Sequence, residues 1–377
     1  MSNKIKNIVI CVSMALILFT LSALCLFMPK DEFLDAERRE PAEFPDFTLE
    51  NVMKDGVEYN DSFMSRFEKY AIDAFPFRDE FRTLKAIFAN YVILQKDNNN
   101  IYMQDGQASK IEAPLKENMI NYAAERFNFL YERYMKGKTD KIYLSIIPDK
   151  NYFLAEQNGY PSIDYDRLNE LLTSGTEFAE YIDIYGLLSI NDYYTTDTHW
   201  RQECITDVAD KLLTAMGQKP TGEYKENTLD NPFYGVYYGQ SALPLPPDTI
   251  KYLTNGILEG CTVKSYKNGM PQKAPVYDMD RAYGKDPYEM FLGGVDPLIV
   301  IENPSVSEKK ELIIFRDSFG SSISPLLVDG YSKVTIVDIR YMSSGLVGSP
   351  VYGINFNDAD VLFLYSTLVL NSANILN

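Results

Sequence analysis

Residues 311–320 read E-L-I-I-F-R-D-S-F-G. Leu312, Ile313, Ile314 and Phe315 form an unbroken apolar run, which suits a strand buried on both faces rather than one with a wet side. After Arg316 and Asp317 the apolar text resumes, with the spacing of a helix over 318–327. A serine on such a strand-to-helix turn presents its hydroxyl above the sheet edge, and the turn amides face the same space. Those amides can hold an oxyanion. The same letters also suit an ordinary helix N-cap, with Asp317 or Ser318 as the capping side chain.

The alternation of strand and helix extends outward from this stretch. Strands are expected at 141–147, 181–185, 298–302, 333–338 and 360–365. Helices are expected at 115–135, 166–172 and 200–216. The last carries apolar residues at Trp200, Cys204, Ile205, Val208, Leu212, Leu213 and Met216, and Gly217 stops it. This order implies an α/β fold with three layers: a mostly parallel sheet between helices. Ligands of such sheets bind at the carboxyl ends of the strands. Residues 224–288 show little periodicity and much Gly, Pro, Asn and Tyr, so an irregular excursion with hairpins is expected there. Upstream, 61–74 and 79–94 have helical spacing and are parted at Pro76.

The N-terminus has a different character. Lys4 and Lys6 precede an uncharged, mostly apolar run over residues 8–28, which as a helix would span about 31 Å and cross a bilayer. The run exceeds the apolar core of a cleaved signal, and Ser22-Ala23-Leu24 is a poor cleavage site. Leu24 also stands where a lipid-modified Cys25 would need a small residue before it. The expectation is a single-pass membrane anchor, with its N-terminus in the cytoplasm by the positive-inside bias. The chain then divides into a cytoplasmic tip and anchor (1–30), a helical segment packing on the main domain (31–112) and the α/β domain (113–377).

Beyond Lys6 there are 34 basic and 53 acidic side chains, a net charge of −19. Such a surface repels nucleic acid and anionic membrane faces. Only Cys204 and Cys261 lie beyond the apolar run; they could form one disulfide but no zinc framework. One histidine gives no histidine-rich metal site, and Y-D-M-D-R-A-Y-G around Asp278 and Asp280 lacks the glycine of a calcium loop. Neither a metal nor a cofactor is expected.

The stretch N-D-Y-Y-T-T-D-T-H-W, residues 191–200, holds the only histidine and the only tryptophan of the chain. If Trp200 opens the helix over 200–216, His199 stands at its N-terminus, where the dipole disfavours imidazolium and keeps the ring available as a base. Asp197 could orient that ring or cap the backbone. A lone histidine at a helix start is commonly structural. The pairing with a serine turn is what raises a catalytic reading, since Ser, His and Asp are the groups of nucleophilic acyl chemistry. That reading requires Ser318 Oγ within about 4 Å of a ring nitrogen of His199.

Together, T-D-T-H-W and I-I-F-R-D-S-F-G resemble the DHHW family and the related SGNH-hydrolase-like domains of bacterial alginate O-acetylation proteins. R-R-E-P-A-E-F-P-D-F, F-E-K-Y-A-I-D-A-F-P-F-R-D, I-P-D-K, F-Y-G-V-Y-Y, I-E-N and V-D-I-R-Y look like further family blocks, so the resemblance covers most of the chain beyond the anchor. Thr198 departs from the DHHW pattern, which has histidine there. The resemblance implies an SGNH-hydrolase-like, flavodoxin-like sheet, with Ser318 as nucleophile, His199 as base and Asp197 as orienting acid. The implied activity is O-acyl transfer or ester hydrolysis on a cell-surface polysaccharide, with a membrane acyl-donor protein as a partner. The other reading is a non-catalytic glycan-binding or assembly subunit. Further candidates for oxyanion or substrate binding are Gly320, Arg316, Lys150, Tyr234, Tyr237 and Tyr238. Each also has an ordinary reading: Arg316 as a surface or packing residue, Lys150 as a solvated lysine, the tyrosines as aromatic packing.

Overall fold

Period-two alternation sorts the side chains of each long strand onto two faces. In the strand that opens at Glu311, Leu312 and Ile314 enter one buried apolar cluster and Ile313 and Phe315 another. The same split separates Leu362 and Leu364 from Val361, Phe363 and Tyr365. A sheet that buries both faces must be covered by two layers, and the helices and loops packed on it supply them. The computed structural model describes residues 3–46, 62–267 and 269–377.

The strands are β1 (Ile101–Gln104), β2 (Gln107–Lys110), β3 (Ile142–Ile147), β4 (Glu180–Tyr181), β5 (Lys225–Phe233) and β6 (Asp248–Thr254). They continue as β7 (Thr262–Ser265), β8 (Gln272–Ala274), β9 (Leu298–Glu302), β10 (Glu311–Arg316), β11 (Lys333–Val337) and β12 (Asp360–Ser366). The main sheet runs in the order β4-β3-β12-β10-β11-β9-β7-β8. From β4 to β11 neighbours are parallel, whereas β9, β7 and β8 pair antiparallel. β10 is therefore central, flanked by parallel partners on both sides, and its carboxyl end lies beside those of β12 and β11. The excursion over 224–288 forms the antiparallel pair β5–β6 and also supplies β7 and β8 to the sheet edge.

Three expected elements differ. The helix expected over 318–327 is one turn of α-helix, Gly320–Ile323, continued as a 3₁₀ turn, Ser324–Leu327. The strand at 181–185 is only the two-residue β4, and a 3₁₀ turn follows at Tyr185–Leu187. The helix expected from 200 begins at Thr206, after a 3₁₀ turn at Gln202–Cys204. The reason is local. Tyr193 and Trp200 form an antiparallel bridge, Tyr194 N–H donates to His199 O, and Arg201 N–H donates to Asp192 O. Residues 193–200 are thus a closed loop, and their backbone groups are committed before the helix can start. Trp200 is fully buried without being helical.

The chain forms two compact units: residues 1–98 with 239–244, and 99–238 with 245–377. In the first, the helix Asn3–Phe27 includes a segment, Asn3–Cys25, long and apolar enough to cross a membrane. Ser62 caps the helix Phe63–Asp73, and Phe77 adopts a left-handed conformation before the helix Arg78–Ile87. Asp61, where the first of these helices was expected to start, lies outside the described residues.

Candidate active site

β10 ends at Arg316, and the next residue fixes the turn. The buried Asp317 accepts the Phe319 N–H on Oδ1 at 2.9 Å, and on Oδ2 the Ser366 N–H and hydroxyl at 2.7 and 2.6 Å. One carboxylate thus fastens the end of β10 to the end of β12. Gly320 packs against the Arg316 side chain so closely that a Cβ would lie 2.6 Å from Arg316 Cβ. Between them Ser318 is only half-buried, with its hydroxyl at the carboxyl edge of the sheet. Ser318 is not at positive φ, so the turn is not a strained elbow.

His199 meets that hydroxyl from the 193–200 loop. Its Nε2 lies 2.8 Å from Ser318 Oγ, and its Nδ1 lies 2.6 Å from Asp197 Oδ1. A carboxylate on Nδ1 assigns the proton to that nitrogen and leaves the Nε2 lone pair facing the serine. Asp197, 1 % exposed, has both expected duties at once. Its Oδ1 also accepts the His199 N–H at 3.0 Å, and its Oδ2 accepts the Val236 N–H at 2.8 Å. The helix expected to begin beside His199 starts only at Thr206, so its N-terminus does not hold the ring. The ring is held instead by the carboxylate and by aromatic faces. Tyr288 stacks on it at 3.9 Å between centroids and 10° between planes, and Phe319 lies tilted at 4.9 Å.

Trp200, expected as the first anchor of a helix, has a different task. Its Nε1–H donates to Phe319 O at 3.1 Å and to Ser322 Oγ at 3.0 Å. The residue after the histidine is therefore bonded to the residues after the serine, which ties the two halves of the site together.

Other candidates take less direct places. The Gly320 N–H donates to Asp317 O at 3.0 Å, so that amide is already committed; the Ser318 N–H has no partner among the described residues. Arg316 is buried beneath the turn, where Nη1 donates to Asp317 O at 3.1 Å and lies 3.4 Å from Asp338 Oδ2. Lys150 is neither solvated nor turned to a cleft: it is 1 % exposed and bonded to backbone carbonyls of the 193–200 loop. Tyr237 is buried, and its hydroxyl donates to Thr198 Oγ1 at 3.1 Å. Tyr238 is half-buried and rests 4.7 Å from the ring of Tyr234, which is 42 % exposed. Of the three tyrosines only Tyr234 presents a largely open ring.

Two residues of the site carry no sequence signal. Tyr288 covers the imidazole, and its hydroxyl donates to Ser322 Oγ at 3.0 Å. Burial raises its phenol well above the ordinary value, so it stays a neutral donor. Asp248 accepts the N–H groups of Thr195 and Thr196, each at 2.7 Å, and the Thr196 hydroxyl at 2.6 Å. Both lie where many tyrosines and acidic residues look alike; only the loop contact distinguishes them.

A central mixed sheet, parallel from β4 to β11, carries the serine at its carboxyl edge, with histidine and aspartate on a neighbouring loop, and is an α/β fold of the class that the following solved structures share. Among solved structures, the chain is similar to a DHHW family protein from Eubacterium siraeum, at 21% identity and a TM-score of 0.59, over 74% of this chain and 94% of that one. It is also similar to PatB1 of Bacillus cereus with a sulfonyl adduct, at 18% identity and a TM-score of 0.55, over 72% and 95% of the two chains. A second PatB1 structure gives a TM-score of 0.53 at 18% identity, over 72% and 96%. No protein-family model and no curated protein matches the sequence.

Proposed function

We propose that this protein is a membrane-anchored, extracytoplasmic O-acyltransferase or esterase that acts on a cell-surface polysaccharide through Ser318, His199 and Asp197. The observation that carries the reading is the line of short contacts from Ser318 Oγ to His199 Nε2 and from His199 Nδ1 to Asp197 Oδ1. The choice of O-acyl chemistry and of a polysaccharide rests on the resemblance of T-D-T-H-W and R-D-S-F-G to the DHHW and alginate O-acetylation domains. The anchor rests on the apolar helix and the lysines before it.

In this mechanism Ser318 Oγ attacks the acyl carbon of a donor ester while His199 Nε2 takes its proton. Asp197 holds the Nδ1–H and stabilises the imidazolium that forms. The Ser318 N–H is the turn donor open to the tetrahedral oxyanion. Collapse of that intermediate breaks the ester bond, and the leaving alkoxide takes the proton from Nε2. A sugar hydroxyl, or water, then gives its proton to His199 and attacks the acyl-serine; the Ser318–acyl bond breaks, Ser318 Oγ takes that proton back from Nε2, and the ester or acid is released.

The test uses phenylmethylsulfonyl fluoride, chosen because a fold neighbour carries a sulfonyl adduct, together with an acetyl ester offered with and without oligosaccharides. Expected are sulfonylation at Ser318 by mass spectrometry, acetyl transfer to the sugar or to water, and a fall of roughly 10⁴–10⁶-fold in hydrolysis for His199→Ala. The chain has no second imidazole to substitute. Wild-type hydrolysis in His199→Ala would sink the mechanism. Polysaccharide affinity with no labelling and no acetyl transfer would replace it by a binding role.

A further inference from the structure

Lys150 is the most unexpected side chain near the site. It follows Asp149, the N-cap of the helix Lys150–Asn158, at the carboxyl end of β3. A fully buried ammonium is costly unless each of its donors is met. Here three acceptors meet three N–H groups: Tyr194 O at 2.6 Å, Thr195 O at 3.0 Å and Asp197 O at 3.3 Å. All three belong to the loop that ends in His199.

The same loop is held through its opposite polarity by Asp248, at the start of β6, which accepts the N–H groups of Thr195 and Thr196. A cation on the carbonyls and an anion on the amides leave the segment little freedom to rotate. Gly235 closes the remaining side, since a Cβ there would lie 2.3 Å from Asp197 Cβ.

We propose that Lys150 is a positioning residue: by donating to the carbonyls of Tyr194, Thr195 and Asp197, its ammonium group fixes the loop that aims His199 at Ser318. The kinetic part of this inference rests on the proposed function; the geometric part does not. The clamp is also sensitive to pH. Burial pulls Lys150 down to about 7, against the opposing pull of Asp248 and Asp197, and the ring of Tyr237 lies 5.6 Å from Nζ. Loss of a proton leaves two donors for three carbonyls and turns a lone pair toward oxygen, so the loop loosens on the alkaline side.

The experiment uses the full chain in detergent, labelled with [¹⁵N]histidine, which reports one residue because the chain has one histidine. Expected is a hydrogen-bonded Nδ1–H signal in the wild type that is displaced or broadened in K150M. With an acetyl ester, kcat falls roughly 10- to 100-fold while KM stays within about twofold, as for a misaligned base. K150R, which keeps its charge at all working pH values, restores the signal and removes its alkaline loss. An Nδ1–H signal and kcat in K150M equal to wild type overturn the proposal. If no variant hydrolyses the ester, the imidazole signal alone decides. If K150M does not fold, the pH series decides, and a wild-type signal as steady to pH 9 as that of K150R overturns it.

Discussion

Around His199, each neighbour constrains a different degree of freedom. Asp197 fixes the tautomer, Tyr288 and Phe319 fix the ring plane, and Trp200 fixes the distance to the serine turn. Trp200→Phe separates the last of these from packing. It keeps an aromatic ring in the buried site and removes the donor to Phe319 O and Ser322 Oγ. Both acceptors keep another donor, the Ser322 hydroxyl on Phe319 O and the Tyr288 hydroxyl on Ser322 Oγ, so the loss is that of ordinary hydrogen bonds, about 0.5–1.5 kcal/mol, and the urea midpoint should fall by that equivalent. Hydrolysis should fall further than the loss of folded protein explains, because the imidazole and the serine are no longer tied. A variant as stable and as active as the wild type would show that the indole N–H has no part in holding the site. Lys150 adds a pH signature at this scale. Its folded value is depressed from 10.5 to about 7, so the global stability it contributes is complete above the unfolded value and is lost as pH falls to about 7, whereas the local clamp on the loop needs the ammonium and is lost in the opposite direction, as pH rises through about 7.

At the level of elements, the site is a junction between one strand end and one loop. β10 delivers the serine, β12 braces it through Asp317 and Ser366, and the 193–200 loop delivers the histidine. The loop stays in register because Gly235 allows the chain to pass within contact distance of Asp197. Gly235→Ala places a Cβ 2.4 Å from Thr196 O and 2.3 Å from Asp197 Cβ, closer than any real contact, so the carboxylate must move. The expected outcome is a retained circular dichroism spectrum with hydrolysis down roughly 100-fold, the cost of about 1 Å of misplacement. Full activity in this variant would show that the loop has slack. The sequence marks the strand and the D-x-H run but misplaces the helix start, since the apolar spacing from Trp200 to Met216 reads as one helix. A buried indole in a loop and a buried helix face give the same letters.

At the scale of the whole molecule, the net charge of −19 beyond Lys6 repels polyanions. The apolar helix has the length and hydropathy of a membrane span, and its retention is open to measurement. Full-length protein should remain in the membrane pellet after carbonate washing, and its intact mass should include residues 1–30. A chain starting at residue 31 should be soluble and should label with sulfonyl fluoride at the same serine. Release of a shortened chain from cells would replace the anchor by a cleaved signal.

What the sequence by itself determined is local: the period-two runs of the buried strands, the apolar helix near the N-terminus, and the chemical types brought by Asp197, His199 and Ser318. These follow from side-chain spacing within a few residues. Only the tertiary structure decided that His199 and Ser318, 119 residues apart, meet at 2.8 Å, that Gly320 has no free amide, and that Lys150 is a buried clamp. The order β3-β12-β10 sets those distances. A strand order is a choice among long-range pairings, and burial of a lysine depends on carbonyls supplied more than forty residues away. Neither is written in the spacing of neighbouring residues.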